Sequence, residues 1–210
     1  MDSLTLGMMG EFGVIVSVCA VIAYLIGSIP TGYLIVKAKT GKDIREIGSG
    51  STGATNVKRV LGKKWFFIVM LLDALKGATP VLMASLILSD YNVFGIYPVV
   101  AAIFVIIGHS KPLFLRFKGG KSVASGVGTI LALNWQVGLI LAVVWGIITY
   151  FTKYVSVGSI VALILSPFLM LLFRAPGAYI VYCVIAAIYV TYLHRENIKR
   201  LIKGEENKVR

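Results

Sequence analysis

Charged residues are scarce in this sequence. They make up 14% of its 210 residues, whereas hydrophobic residues make up 58%, and the mean hydropathy is +0.87. A soluble globular domain of this size carries about 25% charged residues, so that class is excluded. The apolar runs are long and continuous instead of alternating over short segments, which favours helices over a barrel. The sequence therefore predicts an all-α, polytopic integral membrane protein.

Cysteine is also rare, and both copies, Cys19 and Cys183, lie inside apolar runs. A cysteine in such a place behaves as a small hydrophobic residue, so we expect no disulfide framework, no metal site and no cofactor. Lysine and arginine are missing before the first apolar run, which therefore lacks the basic start of a cleaved signal peptide. We expect this first span to be retained.

Acidic residues number only 9 against 21 lysines and arginines, giving a net charge of +12. Such a balance is typical of proteins that bind nucleic acid or anionic surfaces. Here the cations sit in short blocks between apolar runs, as orientation signals do, so we predict no nucleic-acid partner.

Seven apolar runs predict about seven transmembrane helices in a single domain, 1–210. A kink or a polar pocket is expected in the first run, where Pro30 removes a backbone donor beside Ser28 and Thr31. The predicted spans are 12–36, 65–88, 93–107, 123–133, 135–151, 155–173 and 178–193. Three polar segments separate or follow them, at 37–64, 108–122 and 194–206.

The cations are distributed very unevenly between the two sets of loops. Those within 37–64, those within 111–121, Lys153 and those of the tail together make 19 of the 21, and the alternate loops hold only Arg174. By the positive-inside rule the crowded set is cytoplasmic, which predicts an N-terminus outside and a C-terminus inside. All three polar segments then fall on the cytoplasmic face.

The segment 48–53 reads Gly-Ser-Gly-Ser-Thr-Gly and formally matches a dinucleotide-binding pattern. The pattern requires a preceding strand, and the acidic residue at the expected distance, Asp73, lies in an apolar helix instead. What remains is a glycine-rich and hydroxyl-rich loop whose amides can approach an oxyanion, followed by Asn56 and Arg59 one helical turn apart. The alternative is a flexible polar loop with an orienting arginine.

The segment 119–122, Gly-Gly-Lys-Ser, resembles the end of a nucleotide-binding P-loop, but Leu115 stands where such a loop needs glycine. Exposed amides of Gly119 and Gly120 beside Lys121 still predict a phosphate site. The alternative is that the cations here only orient the chain in the membrane.

His194 and Asn197 share one helical face after the last span, and Glu206 follows them. His194 suits a base or a hydrogen-bond donor to phosphate, and the alternative is an interfacial histidine on an amphipathic helix. His109 is suited either to catalysis or to capping a helix. Asp73 and Lys76, three residues apart inside a span, are either a functional pair or a self-neutralising structural one.

Together these motifs resemble those of a known family. They comprise 48–59, then Gly108, His109, Pro112, Phe114 and 117–121, then 194–201 with Gly204 and Glu206. The order and content are similar to the bacterial membrane-bound acyltransferases that acylate glycerol 3-phosphate with acyl phosphate, the PlsY family, over about residues 23–206. Ser51 stands where that family usually has asparagine, which puts Ser51 in doubt as a ligand. Ser122 stands where glycine is common.

The resemblance implies transfer of a fatty acyl group from acyl phosphate to the 1-hydroxyl of glycerol 3-phosphate, giving lysophosphatidic acid and phosphate, the first step of phospholipid synthesis. It also implies a bacterial inner-membrane location with the site facing the cytoplasm. The partners are then the two substrates and membrane lipid, with no obligate protein partner. We predict catalytic roles for His194, Lys121, Asn197 and Arg59, and substrate or phosphate binding by Ser28, Ser49, Gly50, Thr52, Asn56, Lys118, Gly119, Gly120, Ser122 and Glu206.

Acyl phosphate is already activated, so we predict direct attack by the glycerol hydroxyl with no acyl-enzyme. The base is either His194 or the substrate phosphate. Two other functions remain, a phosphate or organic-anion transporter and a non-catalytic lipid-binding membrane protein. The sequence shows no internal repeat of the kind many transporters have, which favours the enzyme.

Overall fold

The computed structural model describes residues 3–89 and 93–208, and the side chains of 10–89 and 94–208. Within these residues the secondary structure is helical throughout. The α-helices are α1 (Ser3–Ser28), α2 (Thr31–Thr40), α3 (Ala54–Leu61), α4 (Lys63–Ile87), α5 (Ile96–Ser110), α6 (Val123–Leu133), α7 (Trp135–Thr152), α8 (Val155–Leu172), α9 (Gly177–Leu193) and α10 (Arg195–Ile202). The predicted all-α, polytopic membrane fold is confirmed.

Five stretches of the described chain are long and apolar enough to cross a membrane: Gly10–Thr40, Lys63–Ile87, Ile96–Leu115, Trp135–Thr152 and Val155–Leu172. A sixth forms if α9 and α10, which meet at a bend of 60°, are taken as one broken span. The predicted run 123–133 coincides with α6, but a helix of 11 residues is about 16 Å long, roughly half the hydrocarbon core. The count of seven and the orientation of the termini remain predictions.

The first predicted span is broken where Pro30 was expected to interrupt it, because α1 ends at Ser28 and α2 begins at Thr31. The Lys76 ammonium on α4 donates to the carbonyl oxygen of Ile29 at 2.7 Å. A charged donor from a neighbouring helix thus satisfies a carbonyl exposed by the break, as the apolar surroundings require.

Small residues bring the central helices close together. A Cβ atom added to Gly77 of α4 would collide with the backbone of Ser125 on α6, and one added to Gly108 of α5 would collide with the backbone of α1 at Tyr24. Such close approach is how membrane helices gain van der Waals contact without a hydrophobic driving force between them. The α1–α5 and α4–α6 pairs form the centre of the bundle, α3 packs against α4, and α10 packs against α9.

Candidate active site

One cavity of about 680 Å³ opens at the end of the bundle where the three polar segments meet. Its polar wall comes from α3 and the preceding loop, from the start of α6, and from α10 with the chain that follows it. Its apolar wall comes from the spanning helices and includes Phe66, Met70, Leu71, Val127, Ala142 and Trp145. A single space of this kind offers both a charged end and a hydrocarbon-lined end to a ligand.

The structure brings some of the predicted site residues to this cavity and leaves others outside it. Those that line it are Arg59, Lys121, His194, Asn197, Ser49, Asn56, Ser122 and Glu206. Those that do not are Ser28, Gly50, Thr52, Lys118, Gly119 and Gly120. Their roles remain proposals, except where the geometry below corrects them.

Asn56 shapes the glycine-rich loop from within. Its buried side-chain amide donates to the carbonyl oxygens of Ile44, Ile47 and Ser51 at 2.9 to 3.2 Å, and its side-chain oxygen accepts from the backbone N–H of Ser49. These bonds use all of its polar atoms, so the predicted phosphate contact by Asn56 is corrected to a role in holding the loop.

Arg59 lies one turn further along α3, exposed and at the cavity wall. Its guanidinium forms no side-chain hydrogen bond or ion pair with any residue that the structure describes. Five rigid N–H donors are therefore available to a phosphate. Thr52, by contrast, is buried against Gly32 of α2 outside the cavity, so its predicted binding role is not supported by its position.

The Gly119–Gly120 pair does not present its amides to the cavity. The N–H of Gly119 donates to the carbonyl oxygen of Ser110 at 3.2 Å, and that of Gly120 to the carbonyl oxygen of His109 at 3.1 Å. A Cβ atom at Gly120 would collide with the His109 ring. The predicted anion-binding amides are therefore corrected: glycine is required here because the loop folds back tightly onto the end of α5.

This fold-back aims the next residue, Lys121, into the cavity. Ser122 follows in a left-handed conformation with φ of 59°, and its hydroxyl donates to the carbonyl oxygen of Ile106 at 2.6 Å. That bond holds the start of α6 against α5 and leaves the Ser122 hydroxyl no proton for a ligand. Lys118 is exposed outside the cavity, so its predicted contact is not supported by its position.

Lys121 belongs to a chain of hydrogen bonds that we call the cavity network. Its ammonium donates to the side-chain oxygen of Asn197, whose amide donates to Glu206 at 2.6 Å. Glu206 also accepts from Ser156 at 2.9 Å and from the Arg200 guanidinium at 2.7 Å. Every member of the network lies outside the long apolar runs or at their ends. Each of these side chains has at least one hydrogen-bond partner within the network.

Electrostatics in this network favour anion binding. Burial, together with the positive charges of Arg200 and Arg59, lowers the pKa of Lys121 to about 8, although Glu206 opposes the shift. Burial alone would raise the pKa of Glu206, but the hydrogen bonds from Asn197, Arg200 and Ser156 outweigh it and keep this carboxylate ionised. An added phosphate would restore the charge balance around Lys121.

His194 lies at the bend between α9 and α10, almost fully buried at the cavity wall. Its Nδ1 is 2.8 Å from the carbonyl oxygen of Val190, which can only accept, so Nδ1 carries the proton and Nε2 is left as an acceptor. Burial is the main cause that lowers the pKa of His194 to about 4. The ring is therefore neutral at physiological pH.

A second polar cluster, the helix network, borders the cavity from inside the spans. Asp73 lies 2.9 Å from the Lys76 ammonium and 3.7 Å from Nδ1 of His109, and Asp73 and His109 line the cavity. Although Asp73 and Lys76 lie at ion-pair distance, their angles do not make a hydrogen bond. Asp73 Oδ1 and His109 Nδ1 have no hydrogen-bond partner among the described residues. Both readings of the Asp73–Lys76 pair therefore remain, since it neutralises itself and also touches the site.

Ser28 lies elsewhere, near the Pro30 break. Its buried hydroxyl accepts from the backbone N–H of Leu113 at 3.4 Å, so it ties the end of α1 to the loop after α5. Ser28 does not line the cavity, so its position does not support the predicted substrate contact, which stays a prediction.

Several residues that line the cavity were not predicted from the sequence. Arg200 shares the helical face of Asn197, and that spacing could have identified it. Ser156 and Ser159 follow a single lysine at the start of α8 and carry no motif. Lys208 lies beyond the last predicted segment. Among the described residues no group of three or more His, Cys, Asp or Glu side chains is arranged to hold a metal ion.

The sequence matches a known protein family and several of its members. Residues 17–204 match the sequence profile of the family described as glycerol-3-phosphate acyltransferase. A protein of that name from Trichormus variabilis is 41% identical over 94% of each chain, and one from Prochlorococcus marinus is 46% identical over 90% of this chain and 94% of its own.

Solved structures agree with the sequence relatives. The crystal structure of PlsY, an integral membrane glycerol 3-phosphate acyltransferase, in its glycerol 3-phosphate form has a TM-score of 0.86 and 36% identity, covering 93% of this chain and 96% of that one. The lysophosphatidic acid form has a TM-score of 0.83 and 34% identity, covering 93% and 95%. This chain belongs to the glycerol-3-phosphate acyltransferase family.

Proposed function

We propose that this protein transfers a fatty acyl group from acyl phosphate to the 1-hydroxyl of glycerol 3-phosphate, releasing lysophosphatidic acid and inorganic phosphate. One observation carries the proposal: a single cavity joins cationic residues from all three polar segments to an apolar wall on the spanning helices. Family membership and the two ligand forms of the related structure support the same reaction.

The two ends of the cavity match the two parts of the donor. Arg59 and Lys121 provide positive charge for phosphate groups, while Phe66, Met70 and Leu71 of α4 provide a surface for hydrocarbon. Leu71 lines the cavity and is also 59% exposed, on a helix long and apolar enough to span a membrane. These features support entry of the acyl chain sideways from lipid.

The transfer needs one bond to form and one to break. The glycerol 1-hydroxyl oxygen bonds to the acyl carbonyl carbon, and the bond from that carbon to the phosphate oxygen breaks, so that phosphate leaves with the bonding electrons. Lys121 stabilises the negative charge that develops during the step, and Arg59 holds a phosphate. Asn197 orients Lys121 through its side-chain oxygen and is itself held by Glu206. In this scheme Asn197 is a positioning residue.

His194 orients the attacking hydroxyl. Its unprotonated Nε2 accepts the hydrogen bond, because Nδ1 already donates to Val190. A pKa of about 4 makes the free ring a weak proton acceptor. A phosphate group, whose second pKa is near 6, is a stronger base than this ring. The hydroxyl proton therefore passes to a phosphate oxygen of one of the two substrates.

The cation asymmetry supports a location in the bacterial inner membrane with the cavity facing the cytoplasm. The lysines and arginines around the cavity belong to the crowded set of loops that the positive-inside rule assigns to that side. Glycerol 3-phosphate would then enter from the cytoplasm and acyl phosphate from the inner leaflet.

Purified protein in detergent, mixed with palmitoyl phosphate and glycerol 3-phosphate, tests the reaction. We expect phosphate and lysophosphatidic acid to appear in equal amounts, the first followed by colorimetry and the second by mass spectrometry. Acyl-CoA and acyl carrier protein thioesters serve as control donors and should give no product. Turnover with a thioester but not with palmitoyl phosphate would refute the proposed donor.

A further inference from the structure

The chain after α10 folds back over the cavity. Gly204, with φ of 71°, reverses its direction, and the backbone N–H groups of Gly204 and Glu205 donate to the carbonyl oxygens of Leu201 and Arg200. We call residues 203–208 the C-terminal strap. Because its turn satisfies the last carbonyls of α10, the strap has a defined path and is not a free tail.

Glu206 fixes this strap at its centre. The three side chains that donate to Glu206 come from α8 and α10, so the carboxylate joins the strap to two helices of the cavity wall. Two residues later Lys208 lines the cavity, with its ammonium 5.8 Å from the centre of the Tyr154 ring. That distance is within the range of a weak cation–π contact, which holds the ammonium near the mouth without neutralising it.

The balance of charges along the cavity wall indicates a phosphate-binding role for Lys208. Glu206 is paired with Arg200, and Asp73 with Lys76, whereas no ion pair within the described residues involves Arg59 or Lys208. Lys58, Arg59 and Lys121 also line this cavity, which must hold two phosphate-bearing substrates, each carrying up to two negative charges. Lys208 is exposed at the water-facing rim, whereas the apolar wall lies on the spanning helices.

We propose that Lys208 binds the phosphate of the water-soluble substrate, glycerol 3-phosphate, and so sets its affinity at the mouth of the cavity. This inference rests on the proposed function. Lys208 acts on binding and not on the acyl carbon, so it affects the KM for glycerol 3-phosphate and leaves kcat and the KM for acyl phosphate nearly unchanged.

The test compares Lys208→Ala with Lys203→Ala. Both remove one lysine from the strap, but Lys203 is exposed and does not line the cavity. Lys208→Ala should raise the KM for glycerol 3-phosphate about tenfold, as expected for one lost charge-assisted contact. Lys203→Ala should change it less than about twofold. Lys208→Arg should restore most of the affinity.

Calorimetric titration of glycerol 3-phosphate into each full-length variant, without acyl donor, keeps this test separate from the reaction. If the wild type binds glycerol 3-phosphate but turns over no palmitoyl phosphate, the proposed reaction fails while the titration still judges Lys208. Equal affinity in wild type and Lys208→Ala, or equal loss in Lys203→Ala, would overturn the role of Lys208. Absence of binding in the wild type would overturn both proposals.

Discussion

Two polar networks border the same cavity, and they differ in how well their atoms are paired. In the cavity network Glu206 accepts from three side chains and Lys121 donates to Asn197. In the helix network Asp73 Oδ1 and His109 Nδ1 face each other at 3.7 Å with no hydrogen bond between them. The bonds of the first network hold the Lys121 ammonium in place at the cavity, whereas the second network pairs the Lys76 charge with Asp73 inside a spanning helix.

The difference reflects where each network lies in the chain. Members of the cavity network come from a loop, the short helix α10 and the strap, together with Ser156 at the first turn of α8. Segments of this kind can be arranged to complete each other's bonds. Asp73, Lys76 and His109 are fixed on α4 and α5, whose positions follow from the close packing of glycines. Within spanning helices, pairing is therefore limited to what that packing allows.

The largest expected effect is a loss of turnover when the cavity network is altered. Lys121→Ala should lower turnover at least about 1,000-fold, because it removes the charge that stabilises the transition state and leaves the fold intact. Lys118→Ala is the matched control, since Lys118 lies three residues earlier, exposed and outside the cavity. Phosphate release by both purified variants is the measurement. Near wild-type rates in Lys121→Ala would remove this lysine from the mechanism.

A second expected effect separates the networks by stability. Asp73→Asn leaves the Lys76 charge buried without its counter-ion, which should destabilise the protein by about 3 kcal/mol. The double variant Asp73→Asn/Lys76→Met removes both charges and should recover most of that loss. Thermal unfolding in detergent measures the stability, and turnover is followed in parallel.

This pair of variants also decides between the two readings of the helix network. A stable double variant with normal turnover would mark the pair as structural. A stable double variant that is inactive would place Asp73 or Lys76 in the reaction and contradict the contrast drawn above.

The smallest expected effect is the pH dependence of the cavity network. Lys121 is protonated below its pKa of about 8 and loses its charge above it, so kcat/KM should fall about tenfold per unit as pH rises beyond 8. His194, with a pKa of about 4, stays neutral across this range and adds no step of its own. In Lys121→Arg the alkaline fall should be absent or shifted upward. A wild-type profile that stays flat to pH 10 would contradict this assignment.

The sequence predicted the positions of helices from long and short apolar runs alike. The predicted span 65–88 nearly coincides with α4, Lys63–Ile87, and 123–133 coincides with α6. It did not predict that α9 meets α10 at a bend of 60°. Hydropathy reports transfer to lipid but not how helices tilt or end.

The site was predicted less completely, because hydrogen-bond partners depend on tertiary contacts. Paired glycines at 119 and 120 suggested free amides, yet these amides bond to the end of α5. Asn56 suggested a ligand, yet its polar atoms hold the loop before it. Lys121, Arg59 and His194 were predicted to lie together and do line one cavity. Burying a charged or polar group among apolar side chains costs free energy, so such groups collect where they can be solvated.

Leu71, which lines the cavity and is 59% exposed on the spanning helix α4, bears on how the reaction ends. The lipid product carries one fatty chain, and moving such a chain through water costs about 0.8 kcal/mol for each methylene. The sideways entry proposed above would let the chain remain among neighbouring lipids throughout the cycle. Release of product would then be lateral diffusion within one leaflet, and only phosphate would have to leave through the aqueous mouth.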